Sequence, residues 1–86
     1  MAEVIKINFK LAWKVPVYVR LGDGFREKVA GPDAALENLN HRWPECESSW
    51  YWAAKRCCLL ALRDETSVDL ARQAFVDAAA YAKMLA

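Results

Sequence analysis

The 86-residue chain has little of the equipment that marks most chemistry: one histidine, three cysteines, no internal repeat and no low-complexity tract. Its one close glycine pair, Gly22-Asp23-Gly24, reads as a turn, because a phosphate-binding loop needs a different glycine spacing and a strand-to-helix setting. No apolar run approaches the ~20 residues of a membrane span. The start, MAEVIKINFKLAWK, lacks the uninterrupted apolar core of a secretory signal. A cytoplasmic protein that does not enter membranes is the expectation. A formal net charge of +1 excludes a global attraction to nucleic acid or anionic lipid, though not a local patch. The odd cysteine count, with Cys57 and Cys58 adjacent, excludes a full disulfide framework and favours reduced thiols.

What is present is a pattern of strands followed by helices. A chain of this length buries only ~60–65% of its unfolded surface, so oligomerisation is a natural source of further buried area. From Ile5 to Leu21 nearly every odd position is apolar, the period of a strand with one buried face. As one strand that stretch would span roughly 56 Å, too long for a domain of this size. The reading is therefore an N-terminal arm or extra strand over residues 1–12, and a compact domain over 13–86 that opens with a strand Trp13–Leu21. Pro16, unable to donate a ladder hydrogen bond, asks for an edge position or a bulge.

A second strand, Phe25–Ala30, follows the turn. A three-residue loop, Gly22-Asp23-Gly24, pairs Val17 with Val29 and Leu21 with Phe25 and puts glycine at the left-handed position. That register leaves Val19 opposite Glu27 as its one mismatch. Tyr18, Arg20, Arg26 and Lys28 then share the outward face.

Three helices come next. The first, Asp33 to Arg42, follows Gly31-Pro32, buries Leu36, Leu39 and Trp43, turns His41 away from that stripe and stops at Pro44. The second starts at Ser48 or Ser49 and runs to Arg63. Trp50, Tyr51, Ala53, Ala54, Cys57, Cys58, Leu60, Ala61 and Leu62 cover its broad apolar side, while Trp52 and Leu59 fall among Lys55, Arg56 and Arg63. The third runs from Ser67 to Leu85, with Thr66 and Asp69 at capping-box spacing and an apolar side that includes Leu70, Ala74, Phe75 and Tyr81. The fold class is α+β: a two-stranded antiparallel hairpin, with or without a third N-terminal strand, packed against three helices.

An ordered set of residues resembles a small alphaproteobacterial, largely rhizobial, family known as domain of unknown function 982. The set runs from Trp13, Pro16-Val17 and the hairpin glycines through Ala35, Leu39 and Trp43-Pro44. It continues with Tyr51, Ala54, Cys58 and Ala61-Leu62, then Ala71-Arg72, Ala74-Phe75 and Ala78-Ala79, and covers about residues 13 to 82. The family often has glycine where Ser48 and Asp64 stand here. The resemblance implies a small cytoplasmic domain of hairpin and three helices, with no known activity and no established catalytic residue.

The stretch His41–Cys58 gathers the histidine and all three cysteines, yet it does not read as a metal site. Structural zinc sites use two close ligand pairs, whereas these intervals are irregular and adjacent helical cysteines diverge by about 100°. Cys57 and Cys58 read as small core residues. Cys46 lies between Glu45 and Glu47, which oppose thiolate formation. The lone histidine has no evident nucleophile or orienting acid beside it. The expectation is no catalytic residue, no metal and no cofactor.

Two surfaces are candidates for binding. Trp52 and Leu59, rimmed by Lys55, Arg56 and Arg63, resemble a protein-contact anchor, unless the arm Ile5–Leu11 folds over them. The partner would be a protein, either a second copy or a foreign chain, and the hairpin edge offers another route. The second reading is single-stranded nucleic acid held on the hairpin by Tyr18, Arg20, Arg26 and Lys28.

Overall fold

A computed structural model describes residues 12–20, 26–43 and 48–86. Its elements in chain order are β1 (Val17–Arg20), β2 (Arg26–Val29), α1 (Pro32–His41), α2 (Ser49–Leu62) and α3 (Val68–Tyr81). This is the expected α+β fold of hairpin and three helices. Residues 1–11 of the expected arm or extra strand over 1–12, the Gly22-Asp23-Gly24 loop with its Leu21–Phe25 pair, the stop at Pro44 and Cys46 lie outside the described residues.

The hairpin register is the expected one: Val17 faces Val29, Tyr18 faces Lys28, Val19 faces Glu27 and Arg20 faces Arg26. Val17, Val19 and Val29 are buried. Glu27, the mismatch, resolves at the sheet margin, where Arg42 Nη1 donates to its Oε2 at 2.8 Å. The first strand is shorter than expected. Trp13 donates its backbone N–H to the Ala30 carbonyl at 2.7 Å, three positions away from the register of the ladder, so Lys14 and Val15 bend outward and Pro16 stands at the break. Proline has no N–H for the ladder, which is why the break falls there.

β1 is not an edge strand. The Arg20 N–H donates to the Met84 carbonyl at 2.8 Å and the Ala86 N–H to the Tyr18 carbonyl at 3.0 Å, with Leu85 bridged antiparallel to Val19. The third helix therefore ends at Tyr81, short of the expected Leu85. Lys83 adopts φ 61°, the Lys83 N–H bonds the Ala80 carbonyl at 3.0 Å and the Met84 N–H bonds the Ala79 carbonyl at 2.8 Å. These paired bonds form a Schellman cap, and they turn the chain back onto β1. α2 ends the same way: Asp64 has φ 63°, the Asp64 N–H reaches Ala61 at 3.0 Å and the Glu65 N–H reaches Leu60 at 2.8 Å.

The helix starts follow their cap residues. Ser48 caps α2, its Oγ accepting from the Tyr51 N–H at 3.3 Å. Ser67 caps α3, accepting from the Leu70 N–H at 3.0 Å. The capping box from Thr66 is thus displaced by one residue: Ser67 takes the extended cap conformation, and Asp69 serves in the first turn, where the helix dipole favours its charge.

Phe75 stands at the centre of the core, fully buried, with its ring centroid 5.8 Å from that of Trp13 and 5.6 Å from that of Trp43. Around it the buried helix residues are mostly small: Ala35, Ala54, Cys58, Ala61, Ala71, Ala78 and Ala79. Small residues let helix axes approach, and the aromatic rings fill what remains. α2 lies against both α1 and α3 but buries only Tyr51, Ala54, Cys58 and Ala61. Its covered arc is narrower than the expected apolar side, which leaves Trp50 and Ala53 exposed.

Candidate interaction surface

The Trp52 side of α2 follows from helical spacing. Residues 52, 55, 56, 59 and 63 recur at three and four positions and so share one face. Trp52 is 52% exposed and Leu59 is 46% exposed. Leu36 and Asn40 of α1 face them across a groove of about 590 Å³ that Lys55 and Arg56 complete. That volume lies within the ordinary range of ligand clefts. Arg63 is absent from the groove lining and reaches toward Glu65 at 3.6 Å.

Trp52 is tied to the interior. Its ring meets Tyr51 edge-on, centroids 5.0 Å apart, Tyr51 lies 6.5 Å from Trp43, and Trp43 packs on Phe75. The row Trp13, Phe75, Trp43, Tyr51, Trp52 therefore runs from core to surface. Tyr51 is pinned by its hydroxyl, which donates to the Leu39 carbonyl at 2.9 Å in a buried setting. Lys55 Nζ stands 5.3 Å from the Tyr51 ring and 5.0 Å from the Trp52 ring, so one ammonium steadies both rings through their faces. Among the described residues neither Lys55 nor Arg56 has a carboxylate within salt-bridge distance.

The outward hairpin face carries Tyr18, Arg20, Arg26 and Lys28 together, all exposed. The Arg26 guanidinium lies 4.8 Å from the Tyr18 ring centroid, which occupies one face of the only aromatic there among the described residues. Arg20 and Arg26 stand directly opposite in the ladder, an unfavourable like-charge pair that this stacking relieves by drawing Arg26 toward Tyr18.

The described residues of the His41–Cys58 stretch do not converge. His41 is exposed at the end of α1, Cys57 is half-buried and Cys58 is buried. Burial, with the neighbouring Cys57 second, pushes the Cys58 thiol up to about 12. It stays protonated and unreactive at neutral pH. Among the described residues no three His, Cys, Asp or Glu side chains gather at a metal-binding distance, and no helix is long and apolar enough to cross a membrane.

One exposed surface escapes the sequence reading. Leu70 and Tyr81 of α3, both expected on its apolar side, are 59% and 55% exposed. Alanine occurs nearly all round α3, so the pattern does not mark which side is covered. Leu70 and Tyr81 lie eleven positions apart, a spacing that places both on one exposed stripe.

Comparison with known proteins agrees with this architecture. No protein of curated function shows significant similarity to the chain. It is similar to the Agrobacterium tumefaciens protein Atu1219, solved by NMR, with a TM-score of 0.76 and 29% identity over 99% of this chain and 86% of that one. The family profile described as "Protein of unknown function (DUF982)" matches residues 15–86. Hairpin, three helices and the alanine-lined core thus fall together within that match, and the chain belongs to the DUF982 family, whose function is not assigned.

Proposed function

We propose that this chain is a non-catalytic cytoplasmic contact domain that associates with a second copy of itself through the groove between α1 and α2. The observation that carries this reading is Trp52, which is half in solvent yet packed edge-on against Tyr51 with Lys55 over its ring. An exposed tryptophan already packed against its neighbours has less freedom to lose on docking, and such residues dominate contact energetics. Leu59 and Leu36 extend the apolar floor, and two cations rim it that have no carboxylate at salt-bridge distance among the described residues. In a chain this small, a second copy also supplies burial that one copy lacks.

The test is mass in solution by light scattering over ~5–500 µM, a range that captures affinities of roughly −8 kcal/mol. Wild type is expected to rise above monomer mass with concentration, and Trp52→Ala to remain monomeric. A monomer in both proteins throughout the range overturns the reading.

Single-stranded nucleic acid on the hairpin face is the second reading, favoured by the clustering of Arg20, Arg26 and Lys28 around Tyr18 on one exposed face. It ranks lower because Arg26 already covers one face of the Tyr18 ring and, among the described residues, no second ring shares that side of the hairpin. Salt-dependent binding of a labelled oligonucleotide, lost in the Arg20→Ala/Arg26→Ala double variant, would support it.

A further inference from the structure

We infer that the groove receives the outer stripe of α3 from the second copy, in an antiparallel helix pairing that joins two different faces of the chain. This rests on the self-association proposed above and names the surface that answers the groove.

The two faces differ in charge and match in spacing. The α2 face is basic, with Lys55 and Arg56 beside Trp52 and Leu59 in the groove and Arg63, which reaches toward Glu65, outside it. On α3, half-buried Asp77 and Ala74 lie between exposed Leu70 and Tyr81, with Gln73 Nε2 donating to Asp77 Oδ1 at 3.0 Å, while Asp69 lies to one side in a pocket with Lys14 and Arg72. Among the described residues neither aspartate has a cation within salt-bridge distance.

Stepping along α2 from Trp52, the face recurs at Arg56, Leu59 and Arg63, offsets of four, seven and eleven. Stepping backward along α3 from Tyr81, the same offsets fall on Asp77, Ala74 and Leu70, with Asp69 one residue beyond. Laid antiparallel, Trp52 meets Tyr81, Arg56 meets Asp77, and Leu59 meets the small Ala74. Arg63 comes level with Leu70 and Asp69. Laid parallel, Leu59 would be pressed onto Asp77 and Arg56 onto Ala74, which buries a carboxylate without a partner.

Like-to-like pairing is disfavoured on the same grounds. Two α2 faces would bring together both sets of Lys55 and Arg56, and two α3 stripes both copies of Asp77. Like charges brought together cost several kcal/mol in discrimination between partners. A contact between unlike faces leaves one groove and one stripe free on each joined pair unless a ring closes.

That property gives the test. Two variants are made, Trp52→Ala to disable the groove and Leu70→Ser/Tyr81→Ser to disable the stripe. All three positions are exposed, and far-UV circular dichroism verifies folding. Each variant alone is expected to stay monomeric at concentrations where wild type associates, while an equimolar mixture forms a 1:1 heterodimer of twice the monomer mass. Asp77→Arg is a further stripe variant, expected to weaken association at least tenfold.

If the stripe variants associate as wild type does while Trp52→Ala does not, the α3 assignment fails and self-association through the groove stands. If all are monomeric separately but the mixture forms no heterodimer, the pairing of unlike faces is overturned. If wild type itself is monomeric, the self-association reading falls and this pairing with it.

Discussion

The groove between α1 and α2 and the outer face of the hairpin carry similar residue types, an aromatic ring among arginines and lysines, and differ in what lies beneath. Under the groove, Trp52 leans on Tyr51, which leans on Trp43 and through it on Phe75. On the hairpin, Tyr18 has Arg26 against its ring and, among the described residues, no aromatic neighbour. The cation plays a similar part in the two places. Lys55 lies over the Trp52 ring and Arg26 over one face of the Tyr18 ring, at 5.0 and 4.8 Å from the centroids. Exposure of an aromatic beside cations therefore does not by itself mark a contact surface. The support behind the ring decides between them.

Deleting the centre of the aromatic row breaks this contrast most severely. Phe75→Ala removes the ring that Trp13 and Trp43 pack on, and a buried phenylalanine truncated to alanine costs about 3–5 kcal/mol. Chemical denaturation is expected to show that loss together with a red shift of tryptophan emission. Tyr18→Ala on the hairpin is expected to cost less than about 1 kcal/mol, and comparable losses from the two changes would erase the distinction.

The buried side of α2 responds to alkali. The Cys58 thiol rises from 9.0 to about 12 on folding, chiefly through burial, so above pH 9 the unfolded chain releases a proton that the folded chain retains. Its contribution is fully present below pH 9 and is lost as pH rises toward 12, by up to about 1.4 kcal/mol per unit. Stability measured between pH 9 and 11 is expected to fall more steeply in wild type than in Cys58→Ala, and equal slopes would remove this role. In the folded protein at pH 8, Cys58 is expected to resist thiol reagents until denaturant is added.

Tyr51→Phe sharpens the contrast at a single atom. It removes the buried hydroxyl that donates to the Leu39 carbonyl and is expected to cost about 0.5–1.5 kcal/mol. The same change is expected to weaken self-association as the support of Trp52 loosens, with calorimetry and light scattering as the readouts. Unchanged association would mean that Trp52 needs no anchor.

The smallest effects lie at the helix ends. Asp64 and Lys83 hold left-handed backbone, with φ near 60°, a conformation that costs a residue bearing Cβ roughly 1–2 kcal/mol. Glycine escapes that cost and loses part of the gain to chain entropy. Asp64→Gly and Lys83→Gly are each expected to stabilise by about 0.5–1 kcal/mol in denaturant melts while leaving the groove unaltered. Stability lost at Lys83 would instead place its side chain in the contact between the C-terminal residues and β1.

Much of the fold was legible because its signals are local. Strict alternation set the hairpin register through Val17, Val19 and Val29, and Ser48 marked a helix start by its own hydrogen bond. The exposure of Trp52 and Leu59 was legible too, since three cations at helical spacing rule their side of α2 out of a core. α3 was harder to read. Alanine suits a buried or an exposed helix face alike, so Leu70 and Tyr81 were assigned to the core side and the outer stripe went unseen.

By itself, then, the sequence determined which segments become strands and helices, how the hairpin strands align, and that Trp52 faces outward among cations. Each follows from neighbours a few positions apart, through the periods of strand and helix. Tertiary structure alone decided that Met84 to Ala86 lie on β1, that Glu27 finds Arg42, that Arg63 leaves the groove, and that Trp13, Phe75 and Trp43 line up with the Tyr51-Trp52 pair in one row. Those outcomes join residues distant along the chain, and no local period records a contact that exists only once the helices have packed.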